Sequence, residues 1–155
     1  MLWSRSRARV ARAACRSPSF TKAPGTTPDI ETSLQPGELI SAFSIQGRWP
    51  RSVYLKARDR QSYEFALSSA AIALDVQDGT IRDARVALGG VATVPWRARE
   101  AEALLKGQKF DDGLAQRVAD AAFAEARGRR HNSFKIALGK RVVARALQQA
   151  VTMEI

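Results

Sequence analysis

The sequence has one cysteine, Cys15, and one histidine, His131, among its 155 residues. A lone cysteine excludes a disulfide framework within the chain, and the cysteine and histidine set that a zinc or iron–sulfur site draws on is missing. Missing too is any apolar run near the roughly 20 residues that a membrane-spanning helix requires. Acidic residues are absent from the first 28 positions, where Arg5, Arg7, Arg9, Arg12, Arg16 and Lys22 supply positive charge. The net charge of +10 therefore belongs mostly to the start of the chain, because the remainder sets 19 basic against 15 acidic residues. A body of mixed sign does not carry the electrostatic footprint of a nucleic-acid binder.

What remains is one domain's worth of chain, enough for a single modest core. An apolar content of 45% argues against general disorder. Residues 1–19 differ in kind from the rest: Arg-, Ser- and Ala-rich, with a weak helical pattern that imitates a mitochondrial transit peptide and lacks the apolar stretch of a secretory signal. They read as a disordered basic leader, or as a start placed in sequence that was never a natural N-terminus. An alternative function follows from them, a small basic protein that binds nucleic acid or an anionic surface through residues 1–19, with affinity falling steeply in salt. Trp3 is the sole aromatic residue there, which weakens that alternative.

Residues 20–37 are punctuated by Pro24, Gly25, Pro28, Pro36 and Gly37 and read as irregular. The run Glu38 to Gln46 has β-character until Gly47 and Pro50 break it, and Val53 to Ala57 forms a second extended piece. Phe65 to Val76 and Thr80 to Leu88 read as strands joined at Asp78-Gly79, a strong hairpin signal because glycine accepts positive φ without strain. A two-residue loop would set Ile72, Leu74 and Val76 beside Ile81, Asp83 and Arg85. A three-residue loop with a glycine bulge would set them beside Arg82, Ala84, Val86 and Leu88, and this register is preferred because it gathers more apolar residues on one face.

After Pro95 the period becomes helical. Ala98, Ala101, Leu104 and Leu105 form a stripe ended by Gly107; Asp111 or Asp112 can cap a second helix with Leu114, Val118, Ala121 and Ala122 on one face. The last helix places Ile136, Gly139, Val143, Ala146, Leu147 and Ala150 together, with Arg141, Arg145, Gln148 and Gln149 largely opposite. Strands first and helices after predict an α+β fold, a three- to four-stranded antiparallel sheet packed on one face by about three helices.

The residues offer little for catalysis. His131 sits beside Arg129 and Arg130 in a polar loop, where a solvated imidazole is the plainer reading than a catalytic one. Gly89-Gly90 lacks the surroundings of a dinucleotide or phosphate loop and reads as a turn. Asp111-Asp112 reads as a helix start. The exception is Tyr54 to Phe65 (YLKARDRQSYEF), where aromatic side chains mix with Lys56, Arg58 and Arg60. Such a loop can meet a flat anionic ligand by stacking and charge, or can be a solvated loop or an interface edge.

Three stretches together resemble a known family: PGTTPDIETSLQPGELISAF, the long run from RSVYLKARDRQSYEF through WRAREAEALL, and HNSFKIALGKRVVARAL. From about residue 20 to 150 the chain resembles the C-terminal domain of the FAD-binding flavoprotein subunit of molybdenum hydroxylases, as found in bacterial aldehyde or xanthine dehydrogenases and carbon monoxide dehydrogenase. The resemblance implies an oxidoreductase complex in which a molybdopterin subunit oxidises the substrate, iron–sulfur clusters relay electrons, and FAD passes them on. It implies a molybdopterin-binding subunit and an iron–sulfur subunit as partners, neither nucleic acid nor membrane, and a chain inactive alone. The N-terminal lobes that hold most of FAD have no counterpart in these residues, so the expected organisation is a leader over 1–19 and the C-terminal domain over 20–152. Carried over by position, Ile40 matches an apolar flavin contact, Lys56 a lysine close to the isoalloxazine ring, and Phe65 a side chain against the ring face, with Tyr63 ranked below them. A lysine there would stabilise negative charge on reduced flavin. There are two departures: the arginine-rich leader is the larger, and where the family usually places an acid within a KIELAKR-like run, Ala137 and Gly139 alter the pattern, which bears on helix stability or subunit packing. The implied location is cytoplasmic, with periplasmic by co-export with a partner subunit as the alternative.

Overall fold

The computed structural model describes residues 20–44 and 47–154. The basic leader, and the last two residues of the Glu38 to Gln46 run, lie outside the described residues. The chain divides into two compact units, Met1–Ser41 and Ala42–Ile155.

The described part of the first unit is irregular, as its prolines and glycines predict. Thr21 and Thr32 form an antiparallel bridge. Lys22 N donates to Glu31 O at 2.8 Å and Ser33 N to Phe20 O at 2.8 Å. The turn between them places Gly25 at φ +43°. The expected strand from Glu38 does not form over residues 38–44. Leu39 and Phe43 are exposed, and no described strand pairs with this segment. Its β-favouring side chains have neither a ladder to join nor a surface to cover, so local propensity does not decide the outcome.

The second unit holds a four-stranded antiparallel sheet in the order β1-β2-β3-β4. The strands are β1 (Arg51–Ala57), β2 (Ser68–Gln77), β3 (Thr80–Gly89) and the short β4 (Trp96–Arg97). Helices α1 (Arg99–Leu105), α2 (Asp112–Ala122) and α3 (Phe134–Val151) follow. α1 packs on β3, α3 packs on β1 and β2, and α2 contacts both other helices. The α+β class and the helix-covered sheet are as expected. β2 starts at Ser68 and not at Phe65, which stands 97% exposed in the preceding loop.

The hairpin resolves the two registers by using part of each. Asp78 and Gly79 form a two-residue loop at φ +51° and +73°, so Gln77 pairs with Thr80 and Val76 with Ile81. Immediately beyond, the register shifts: Asp75 pairs with Asp83, leaving Arg82 as the extra residue of a bulge. Ile81 before the bulge and Ala84, Val86 and Leu88 after it are thereby all buried, alongside Ile72 and Leu74. The preferred pairing of Ala84, Val86 and Leu88 with the β2 stripe is present. The expected three-residue loop is not, and Arg82 is exposed. A bulge moves the strand by one residue and so flips its facing set, which a longer loop would also have done.

The core lies between this inner face and the helices: Val118 and Ala119 of α2 and Val143, Ala146, Leu147 and Ala150 of α3 are fully buried. α2 is capped as predicted, with Asp111 Oδ1 accepting from Leu114 N at 2.5 Å. Arg51 Nη1 reaches across from β1 to Val151 O at 2.7 Å, and also to Met153 O. It thereby places a cation against the carbonyl end of α3, where the helix dipole favours one.

Candidate flavin-facing loop

Side chains alternate across the sheet, so the face turned away from the helices carries Ser52, Tyr54 and Lys56 of β1, Ser69, Ala71 and Ala73 of β2, and Arg85, Ala87 and Gly89 of β3. Much of its floor is small. A Cβ added at Gly89 would lie 2.5 Å from Ser69 Oγ, so the serine hydroxyl occupies the space that a side chain at residue 89 would take. Trp49 stacks on Arg85, whose guanidinium carbon lies 4.8 Å from the ring centroid. Arg85 Nη1 also donates to Asp83 Oδ1 at 2.6 Å. This hydrogen bond is the main cause holding the Asp83 carboxyl below its ordinary value of 3.8, while burial works against it. Sequence reasoning passed over Trp49, because it stands between Gly47 and Pro50 with no periodic pattern to place it.

The loop from β1 to β2 begins where this face ends. Lys56 is half-buried, and its Nζ donates to Glu64 O at 2.9 Å. Arg60 N donates to Glu64 Oε2 at 2.8 Å, and Arg60 Nη2 to Tyr63 O at 2.6 Å. Tyr63 takes φ +53°, an uncommon conformation for an aromatic residue. These contacts close the loop on itself and turn two aromatic side chains outward, with Tyr63 96% and Phe65 97% exposed. The backbone returns to the sheet through Leu67 N, which donates to Ala57 O at 2.9 Å. Gly90, at φ +72°, packs against this return, and a Cβ there would meet Ala66 O at 2.8 Å.

Of the three residues singled out from the sequence, Lys56 and Phe65 are brought to one loop, since Lys56 holds the carbonyl of the residue preceding Phe65. Ile40 belongs to the first unit, where it is 47% exposed. His131 is exposed, as a solvated loop histidine would be. An ammonium group has three donors, and Lys56 uses one of them on Glu64, so it can still face an anionic or carbonyl-rich ring edge. An exposed phenyl ring beside it can cover one face of a flat aromatic group. This donor set fits the edge and one face of a flavin. Among the described residues there is no glycine-rich helix start of the kind that cradles a pyrophosphate.

Comparison with known proteins places the chain. Residues 53–150 match the sequence profile of the CO dehydrogenase flavoprotein C-terminal domain. The chain is 46% identical over 132 residues to the aldehyde oxidoreductase FAD-binding subunit PaoB of Escherichia coli, covering 84% of this chain and 38% of that protein. The carbon monoxide dehydrogenase structure from Hydrogenophaga pseudoflava is 32% identical, with a TM-score of 0.59 over 64% of this chain and 36% of its own. The reconstituted CO dehydrogenase from Oligotropha carboxidovorans, at 23% identity and a TM-score of 0.70 over 79% of this chain and 45% of its own, shares the fold. The chain thus spans less than half the length of each of these relatives. It belongs to the CO dehydrogenase flavoprotein C-terminal domain family.

Proposed function

We propose that this chain acts as the C-terminal part of the FAD-binding subunit of a molybdopterin-dependent aldehyde or xanthine dehydrogenase type of oxidoreductase. In this role it covers part of the flavin and contacts partner subunits. The observation that carries the reading is the β1–β2 loop, where Lys56 is fixed by Glu64 and two aromatic side chains stand almost wholly exposed. Exposing large aromatic rings is unfavourable in an isolated domain, and a flat aromatic partner would bury them. FAD would supply the electron exchange; the chain's own part is to set a positive charge at the ring edge, place Phe65 against a face and exclude water there. Lys56, Phe65 and Ile40 are the proposed flavin contacts. The phosphates would be held by N-terminal lobes of the complete subunit, and molybdopterin and iron–sulfur clusters by partner subunits. Among the described residues no helix is long and apolar enough to cross a membrane, and the proposed setting is a cytoplasmic complex.

The test mixes the full chain with the N-terminal portion of the Escherichia coli relative and follows flavin fluorescence. The chain alone should leave free FAD unquenched, and the mixture should quench it more than the lobes do by themselves. Lys56→Met should lower the midpoint potential of the bound flavin by about 30 mV, equal to a tenfold change in a two-electron equilibrium. A mixture that behaves as the lobes alone removes the basis of the reading, and an unchanged potential removes Lys56 from the ring edge.

A further inference from the structure

At the helical end of the second unit, two loops face each other across an open cleft of about 460 Å³. One wall is the turn after β3, residues 90–93, and the other is the loop of residues 126–132 that leads into α3. Its floor is apolar, made by Leu88, Trp96, Phe123 and Ile136. Its cationic lining residues are Arg127, Arg129 and Lys135, and no aspartate or glutamate lines it. Arg127 and Arg129 are exposed and take part in none of the ion pairs formed among the described residues.

The walls are held in place. Lys135 Nζ donates to Gly90 O at 3.1 Å, which ties one loop to the other and leaves two of its three donors for another acceptor. Arg129 N donates to Asn132 Oδ1 at 2.6 Å, which closes the second loop. A Cβ at Gly128 would lie 2.9 Å from Ser133 Cβ, so the loop is folded tightly onto the start of α3. The volume falls in the range of small-molecule sites, which combine an apolar lining with a few placed polar groups.

We propose that this cleft binds an amphipathic organic anion, with its apolar body on the Leu88, Trp96, Phe123 and Ile136 floor and its carboxylate or phosphate head between Arg127, Arg129 and Lys135. Neither half of the site is sufficient. Exposed cations hold a small hydrated anion weakly because water screens them. An apolar floor open to solvent recovers only the area of a small ring or short chain. A molecule that carries both gains from each, and the guanidinium fork suits a carboxylate or phosphate in particular. The proposal does not depend on the flavin reading, since it uses none of Ile40, Lys56 or Phe65.

The test is a titration of the ¹⁵N-labelled full chain, read at the Trp96 indole N–H. The probes are sodium octanoate, octyl phosphate, the neutral octanamide and inorganic phosphate. Octanoate or octyl phosphate should move the Trp96 signal saturably, and the stronger of the two identifies the head group. Octanamide and inorganic phosphate should each bind at least about tenfold more weakly. Arg127→Gln combined with Arg129→Gln should weaken the anion by about tenfold or more, whereas Arg145→Gln, on the exposed face of α3, should not. The proposal is overturned if octanamide matches octanoate, if the double variant binds as the parent does, or if neither anion saturates by about 10 mM.

Discussion

Gly139 shows how much one missing side chain can set. In the middle of α3, glycine costs about 1 kcal/mol relative to alanine through lost backbone entropy. The compensation is spatial: the Phe123 ring lies directly over this position, and an added Cβ would meet its Cε1 at 2.7 Å and its Cζ closer still. Phe123 is itself buried, 4% exposed, at the end of α2, and a ring shift that made room would disturb the packing of the cleft floor. The sequence marks Gly139 as a departure from the family's pattern, but nothing in the pattern names the residue that occupies the space. Gly139→Ala should therefore destabilise the protein by about 1–2 kcal/mol, because overpacking outweighs the gain in helix propensity. Adding Phe123→Leu should recover part of that loss, so the pair is less damaging together than the sum of its members. Denaturant unfolding of the two single variants and the double variant measures this, and strict additivity would mean that the ring and the glycine do not restrict one another.

Among the elements, the edge of β3 is legible only in part. β4 pairs with β3 over two residues, Trp96 with Leu88 and Arg97 with Ala87, and then the chain turns into α1. The edge is continued by other means. Ala98 N donates to Val86 O at 2.9 Å, and Glu102 Oε1 accepts from Val86 N at 2.9 Å. The same carboxylate holds Arg97 through Nε at 2.8 Å and Nη2 at 2.9 Å, so a single side chain of α1 joins β3, β4 and the helix. This hydrogen bonding is also the first cause raising the Arg97 guanidinium above its already high value. Periodicity locates α1 by its apolar stripe, yet it misplaces Leu104, which is 42% exposed, and says nothing of Glu102. A glutamate on a short helix carries no sequence signal that a strand edge depends on it. Glu102→Ala should cost about 1–3 kcal/mol, mainly by leaving a partly buried backbone N–H without its acceptor. Glu102→Gln, which keeps an acceptor oxygen, should cost less. Amide hydrogen exchange at Val86 should quicken most in the alanine variant, and unchanged protection there would show that the edge does not rely on this contact.

For the whole molecule, sequence reasoning recovered the class, the strand-then-helix order and the inner-face residues, since period-2 and period-3.6 patterns report directly on burial. It did not recover the bulge at Arg82, the Trp49–Arg85 stack or the cleft beside α3, because each depends on residues that meet only after folding. Charge belongs to this scale as well. The chain carries a net +10 at neutral pH, so every carboxylate protonated in acid adds to its self-repulsion. Two carboxylates are held below their ordinary value: Asp83 first by its hydrogen bond to Arg85, and Asp120 first by its hydrogen bond to Lys140, 2.9 Å away. A carboxylate whose folded value lies below its unfolded one releases its proton more readily in the folded state, so its contribution to stability is present above the unfolded value. That contribution fades as the pH falls from about 4 through the folded value. Both groups are substantially exposed, which keeps the contribution small. The thermal midpoint should thus decline as the pH is lowered from about 4.5 toward 2.5, and added salt should soften the part that comes from net repulsion. In the Asp83→Asn, Asp120→Asn variant the midpoint should be slightly lower at neutral pH and should fall less steeply across that window. A variant curve parallel to the parent's would place the acid sensitivity in general repulsion and leave these two pairs without a share in it.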